Sequence, residues 1–173
     1  MCGGLVPLFL SREVMYLKIT YQTTRQEYKL KRRNIVSAEE NKASQRRVYE
    51  EALIKKNLEV IDELFAPSYS FKSPLAGDIN GAAGFKEALV AMFSAFPDTK
   101  YTIDDIFAEG DKVATRFTMS GTFTGEIMGI APTGKSASVS GILITRWEDG
   151  KEVEAWESID TLGWYQQLGI IST

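Results

Sequence analysis

The chain predicts an α+β fold in which helices pack on one face of a curved antiparallel sheet. Three observations carry this. Apolar residues recur at helical spacing up to about residue 96. The period then changes to strict alternation from about residue 100. The last alternating segment runs directly into a short apolar helical turn. Helices first and a strand meander second is the α+β order.

Residues 1–36 do not fit the pattern that follows. Residues 3–10 are apolar but short, with no basic residue before them and no small-residue cleavage site, so a secretory signal is not expected. Residues 16–21 have some β character, and residues 25–33 are basic. We read residues 1–36 as a poorly ordered extension or a non-native start, and residues 37–173 as one domain.

Ser37 and Glu40 have the spacing of a capping box, with Val48, Ala52 and Leu53 on the helical stripe that follows. A second short helix carries Leu58, Ile61, Leu64 and Phe65 and stops at Pro67. Residues 69–73 alternate as a short strand, and residues 77–80 read as a turn. Residues 81–96 form the clearest helix, with Phe85, Ala88, Leu89, Met92, Phe93 and Phe96 on one face. Strands follow at residues 101–107, 113–124, 136–147 and 151–159. Asp149-Gly150 is a hairpin turn between the last two. Residues 161–168 make a short helix anchored by Leu162, Trp164, Tyr165 and Leu168.

Composition restricts the chemistry. There is no histidine and one cysteine, Cys2. Histidine-dependent nucleophile systems, histidine zinc sites and intramolecular disulfides are therefore excluded. Acid/base work falls to Asp, Glu, Tyr and Lys. A formal net charge of −3 gives no basic footprint for nucleic acid. No apolar run approaches the ~20 residues of a membrane span, and the single Cys fits a cytoplasmic location. Residues 129–136 match GxxxxGK[ST] by letter, but the residues after Lys135 alternate as a strand. The helix that a phosphate loop requires is missing, so the match is accidental.

The final strand holds the candidate chemistry. Counting back by two from Asp160 gives Ser158, Trp156, Glu154 and Glu152 on one face, with Ile159, Glu157, Ala155 and Val153 on the other. An acid beside aromatic surface has its pKa raised towards general acid/base duty. Asp160 also precedes a helical turn, where Asp is a favoured N-cap.

Taken in order, several segments resemble the SnoaL-like polyketide cyclase (ester cyclase) family of the nuclear-transport-factor-2-like cone fold. They are Phe96-Pro97-Asp98, the run from Ala108 to Arg116, Gly121-Thr122-Phe123-Thr124-Gly125, the run from Met128 to Lys135, Asp149-Gly150-Lys151, Glu154-Ala155-Trp156, Asp160 and Gln167-Leu168-Gly169. The resemblance spans residues 37–169. It implies a deep pocket inside the cone, no cofactor, no metal and a homodimer or higher homo-oligomer. The chain departs from the family at Phe123 and near Phe71-Lys72, where family members often carry histidine.

By this resemblance Asp160 is the acid/base aspartate of a cofactor-free, intramolecular aldol-type ring closure on a small hydrophobic carbonyl compound. Trp156 is expected as a pocket wall or as core. Phe123, Met128 and Ile130 are expected at the pocket mouth, and Trp164 in the core or pocket roof. Glu154 and Arg116 are expected as an ion pair on the inner face, with Arg146 a competing partner. An isomerase or epoxide hydrolase on the same fold, and a non-catalytic small-ligand binder, are the alternatives.

Overall fold

A computed structural model of the chain describes residues 12–172. Helix α1 (Arg12–Arg47) runs into a wider π-type turn at Val48–Ile54. Helix α2 (Glu59–Leu64), strand β1 (Phe65–Ser73), strand β2 (Gly77–Asn80) and helix α3 (Ala82–Ala95) follow. The rest is a meander of β3 (Lys100–Glu109), β4 (Lys112–Thr122), β5 (Ser136–Glu148) and β6 (Lys151–Ile159), closed by helix α4 (Thr161–Leu168).

The six strands form one sheet in the order β2-β1-β6-β5-β4-β3. All neighbours are antiparallel except β1 and β6, which are parallel. The expected all-antiparallel sheet is corrected there. The meander of four strands brings β6 back beside β1, and the two strands then point the same way.

Side chains alternate cleanly along the central strands. Val113, Thr115, Phe117 and Met119 of β4 are buried, as are Ala137, Val139, Thr145 and Trp147 of β5. This inner face packs on a stripe of α1 and the π-type turn, where Ala38, Asn41, Gln45, Val48, Tyr49 and Ala52 are buried at helical spacing. Phe65, Tyr69 and Phe71 of β1 meet Phe85 of α3 at ring-centroid distances of 5.2 to 5.5 Å. This gives the helix-on-sheet cone its second aromatic layer.

Four local expectations change. Helix α1 continues back to Arg12, so Ser37 lies within it and is not an N-cap, and residues 16–21 are helical rather than β. Ala38 is buried, while Tyr16, Tyr21 and Tyr28 upstream are exposed. Pro67 sits inside β1, where the register shifts between Phe65 and Ser70; a residue without an N–H is tolerated at such an irregularity. Residues 77–80 are a strand paired to β1 rather than a turn. Residues 3–10 lie outside the described residues.

The hairpin at Asp149-Gly150 forms as expected. Both residues have positive φ, 48° and 76°, the conformation that suits the twist of a two-residue hairpin loop. Lys135 is followed directly by β5, so no helix follows the GxxxxGK[ST] stretch.

Candidate active site

The inner face of β6 departs from simple alternation. Arg146 pairs with Glu154, but the next pair is Trp147 with Glu152, so Val153 is an extra residue in the ladder. This bulge reverses the facing of everything before it. Glu152 therefore points inward with Ala155 and Glu157, while Glu154 and Trp156 turn outward.

Glu152 is 1% exposed. Its Oε1 accepts a hydrogen bond from the Tyr69 hydroxyl at 3.1 Å, and its Oε2 has no partner among the described residues. Burial pushes the carboxyl pKa up to about 8, with the Tyr69 hydrogen bond acting weakly against it. Glu152 is therefore mostly protonated at neutral pH and holds a proton with no acceptor.

Glu157 is the second inner carboxylate. Its Oε2 accepts from Ser73 Oγ at 2.5 Å. That hydroxyl already accepts from the Leu75 and Ala76 amides at 3.1 and 3.0 Å, which leaves its own proton for Glu157. Burial raises the Glu157 pKa and the Ser73 hydroxyl opposes the rise.

Tyr49 and Tyr69 lie within electrostatic reach of both acids, and Tyr101 within reach of Glu157. Burial raises the phenol pKa values of Tyr49 and Tyr69, and the charges of Glu152 and Glu157 add to both shifts. Burial, then Glu157, does the same to Tyr101. Tyr49 and Tyr101 meet edge to face with centroids 6.2 Å apart. Tyr49 lies in the π-type turn, a distortion that often re-aims side chains at functional sites. Beside this group the Trp147 indole N–H donates to Thr145 Oγ1, which donates to Gln45 Oε1, both at 2.8 Å. Gln45 Nε2 and Thr115 Oγ1 are buried without a partner among the described residues.

The residues singled out from sequence divide between inside and outside. Asp160, expected inside, is exposed and caps α4. Its Oδ1 accepts from the Gly163 amide at 2.9 Å, and its carbonyl accepts from Trp164 N at 3.0 Å. Glycine at 163 follows from this cap, because a Cβ there would sit 2.3 Å from Asp160 Oδ2. Trp156, expected as a pocket wall, lies on the outer face opposite Ile144 and Lys72.

Glu154 is also on the outer face and pairs with Arg146 at 3.3 Å; the expected Glu154–Arg116 pair does not form. Arg116 is exposed and bound to Asp105 and Asp104 at 2.7 and 3.2 Å. Phe123 is fully buried, stacked on Phe96 with centroids 5.2 Å apart, and Trp164 packs 5.4 Å from Phe96. Phe123 is therefore core rather than mouth. Met128 is exposed with φ of 51°, while Ile130 bridges to Ile127 and packs against the core.

Sequence reasoning missed Glu152, Glu157, Tyr49, Tyr69, Tyr101 and Ser73 as one cluster. A signal existed in β6: Ala155 and Ile159 share a face with Glu157, and small or apolar neighbours mark the inward side.

Comparisons with known proteins agree with this architecture. Residues 43–168 match the model of the SnoaL-like polyketide cyclase family. AclR from Streptomyces galilaeus, a proposed hydroxylase, is 29% identical with a TM-score of 0.68, covering 79% of this chain and 85% of its own. IdmH from Streptomyces antibioticus, a proposed polyketide cyclase, is 32% identical with a TM-score of 0.65, covering 75% of this chain and 98% of its own. A SnoaL-like protein from Jannaschia sp. CCS1 shares the fold with a TM-score of 0.70 at 19% identity, covering 78% and 95%. A comparison with curated proteins finds no match. With the family model spanning most of the chain, from the packed end of α1 through α4, the chain belongs to the SnoaL-like polyketide cyclase family.

Proposed function

We propose that this protein is a cofactor-free ring-closing enzyme for a small hydrophobic polyketide-like carbonyl compound, working by proton transfer from the inner face of β6. The observation that carries the reading is the pairing of two inward carboxyls with different hydrogen-bond environments. One, Glu157, accepts the Ser73 proton; the other, Glu152, keeps an unshared oxygen. Acids on one face in unlike environments can supply a base and an acid at one pH.

In this reading the Glu157 carboxylate removes a proton from a carbon flanked by two carbonyls. The enolate carbon bonds to a ketone carbon in the same molecule. The ketone π electrons move to its oxygen, and Glu157 returns the proton to that alkoxide. Protonated Glu152 donates a hydrogen bond to the enolate oxygen, and Tyr69 holds the other oxygen of Glu152 in place. The substrate carbon is already acidic, so orientation between the tyrosine rings and the sheet supplies much of the remaining acceleration.

A second reading assigns the base to Asp160, as the resemblance does. Its favouring observation is that Asp160 directly follows Ile159, which packs on the core. The domain doing this work is taken as residues 37–173, in the cytoplasm.

The test is ring closure of an aromatic polyketide probe bearing a ketone and an ester-flanked methylene, with no added cofactor. Acceleration over buffer supports the enzyme reading. Saturable binding of the probe without acceleration supports the non-catalytic binder instead, and the absence of both binding and acceleration overturns both readings for this probe class.

A further inference from the structure

Three buried side-chain polar atoms have no hydrogen-bond partner among the described residues: Gln45 Nε2, Thr115 Oγ1 and Glu152 Oε2. They come from three different elements, α1, β4 and β6, and all lie inside the cone between helix and sheet. Gln45 and Thr115 are both 0% exposed. A buried donor without an acceptor costs free energy, so a folded chain keeps one where something else supplies the partner. Ring closure as proposed above uses Glu152 and leaves Gln45 and Thr115 without a role.

Neighbouring residues fix the direction of the Gln45 amide. Trp147 Nε1 can only donate, and it donates to Thr145 Oγ1 at 2.8 Å. The Thr145 hydroxyl keeps its own proton and gives it to Gln45 Oε1 at 2.8 Å, in preference to Val113 O at 3.5 Å. Gln45 Oε1 is thus the acceptor, and Nε2 presents two N–H bonds with no acceptor among the described residues. Thr115 belongs to the same part of the ladder. Val113 is opposite Thr145, and Thr115 is the next inward residue of β4. It is therefore a diagonal neighbour of the threonine that holds Gln45.

The surroundings decide what the partner is. Gln45 lies one turn before Tyr49 on the buried stripe of α1 and its π-type turn. The inward residue of β4 after Thr115 is Phe117, whose ring lies 6.1 Å from Tyr49 and 6.3 Å from Tyr101. Polar donors beside flat aromatic walls suit a flat apolar molecule that carries an oxygen acceptor. We infer that Gln45 Nε2, with the Thr115 hydroxyl beside it, is a specificity-determining contact that takes a ketone or phenol oxygen of a small ring compound inside the cone. This rests on the proposed function only in bringing a small carbonyl compound into that interior, and it requires neither acid to catalyse.

Calorimetric titration of the full chain with α-tetralone and with tetralin tests it, since the two ring compounds differ by one ketone oxygen. Circular dichroism confirms that each variant is folded. Gln45→Met keeps the length of the side chain and removes its N–H bonds. Thr115→Val keeps the shape and removes the hydroxyl. The expected result is saturable binding of α-tetralone to the wild type, with its preference over tetralin falling at least about 10-fold in Gln45→Met and about 3-fold in Thr115→Val. Thr115→Val should also melt no lower than the wild type, because the lost hydroxyl is one the fold leaves unpaired. A wild-type chain that does not bind α-tetralone overturns the inference. So does an unchanged preference in folded Gln45→Met, or a Thr115→Val chain that melts well below the wild type with its preference intact, which would assign the network to the fold alone. Should Gln45→Met fail to fold, the same two readings on Thr115→Val decide. Catalysis is read separately: an inactive chain whose preference for the ketone depends on Gln45 removes the ring-closure proposal and leaves this contact standing.

Discussion

Ser73 Oγ and Glu157 Oε2 lie 2.5 Å apart, a hydrogen bond that ties the end of β1 to the inner face of β6. The two strands are parallel neighbours, so the bond exists only because the meander returns β6 beside β1. Donation from Ser73 favours the ionised carboxylate and opposes the rise in pKa that burial imposes.

Ser73→Ala removes that opposition. The Glu157 pKa then rises further, and the acid limb of the pH–rate profile for ring closure moves to higher pH. The Leu75 and Ala76 amides lose their acceptor as well, at a cost of about 1–2 kcal/mol in stability. A pH–rate series on the variant beside the wild type checks the direction.

Glu152 makes stability depend on pH. Its folded pKa of about 8 lies above the unfolded value of 4.5. Between those values the folded state holds a proton that the unfolded state has lost, so stability falls as pH rises through the window and levels off above it. Glu152→Gln keeps the shape and the neutral charge in both states. Thermal melts across this range should fall with pH for the wild type and fall less steeply for the variant, in which the burial-raised Glu157 still contributes.

Asp160 contributes to stability through the α4 cap. Asp160→Ala should lower unfolding free energy by about 1 kcal/mol, and Asp160→Asn by only a few tenths. Gly163→Ala should resemble the first of these, since the new Cβ would displace the Asp160 carboxylate. Chemical denaturation of the three variants provides the comparison.

Phe123→Ala should destabilise by about 3–5 kcal/mol. Phe123 is completely buried and stacked on Phe96, and truncation leaves a cavity beside that ring. Arg116→Gln, at an exposed pair, should leave the melting temperature unchanged. A denaturation series separates the two.

The architecture was legible because period is a physical consequence of backbone geometry. The α3 stripe, the alternation of β4 and β5 and the Asp149-Gly150 turn all followed from residue type and spacing. The candidate site was not, for two reasons. The face of Asp160 was taken as the inner one, whereas Ala155, Glu157 and Ile159 face inward, and Val153, an extra member of its ladder, turns Glu152 to that same inner face. Ala155 and Ile159 on the facing side of Glu157 were the local hint. The start of α1 was misread because Ser37 and Glu40 have the letters of a capping box inside a longer helix. Short β2 was misread because Gly77 to Asn80 has turn composition, and only pairing with β1 makes it a strand.

The most direct measurement is kcat for ring closure of the polyketide probe by Glu157→Gln and Asp160→Asn side by side. The account predicts a fall of about 100-fold or more for Glu157→Gln, the usual worth of a general acid/base, with Asp160→Asn near wild type. The reverse order, with Glu157→Gln active and Asp160→Asn inactive, would contradict it and move the chemistry to Asp160.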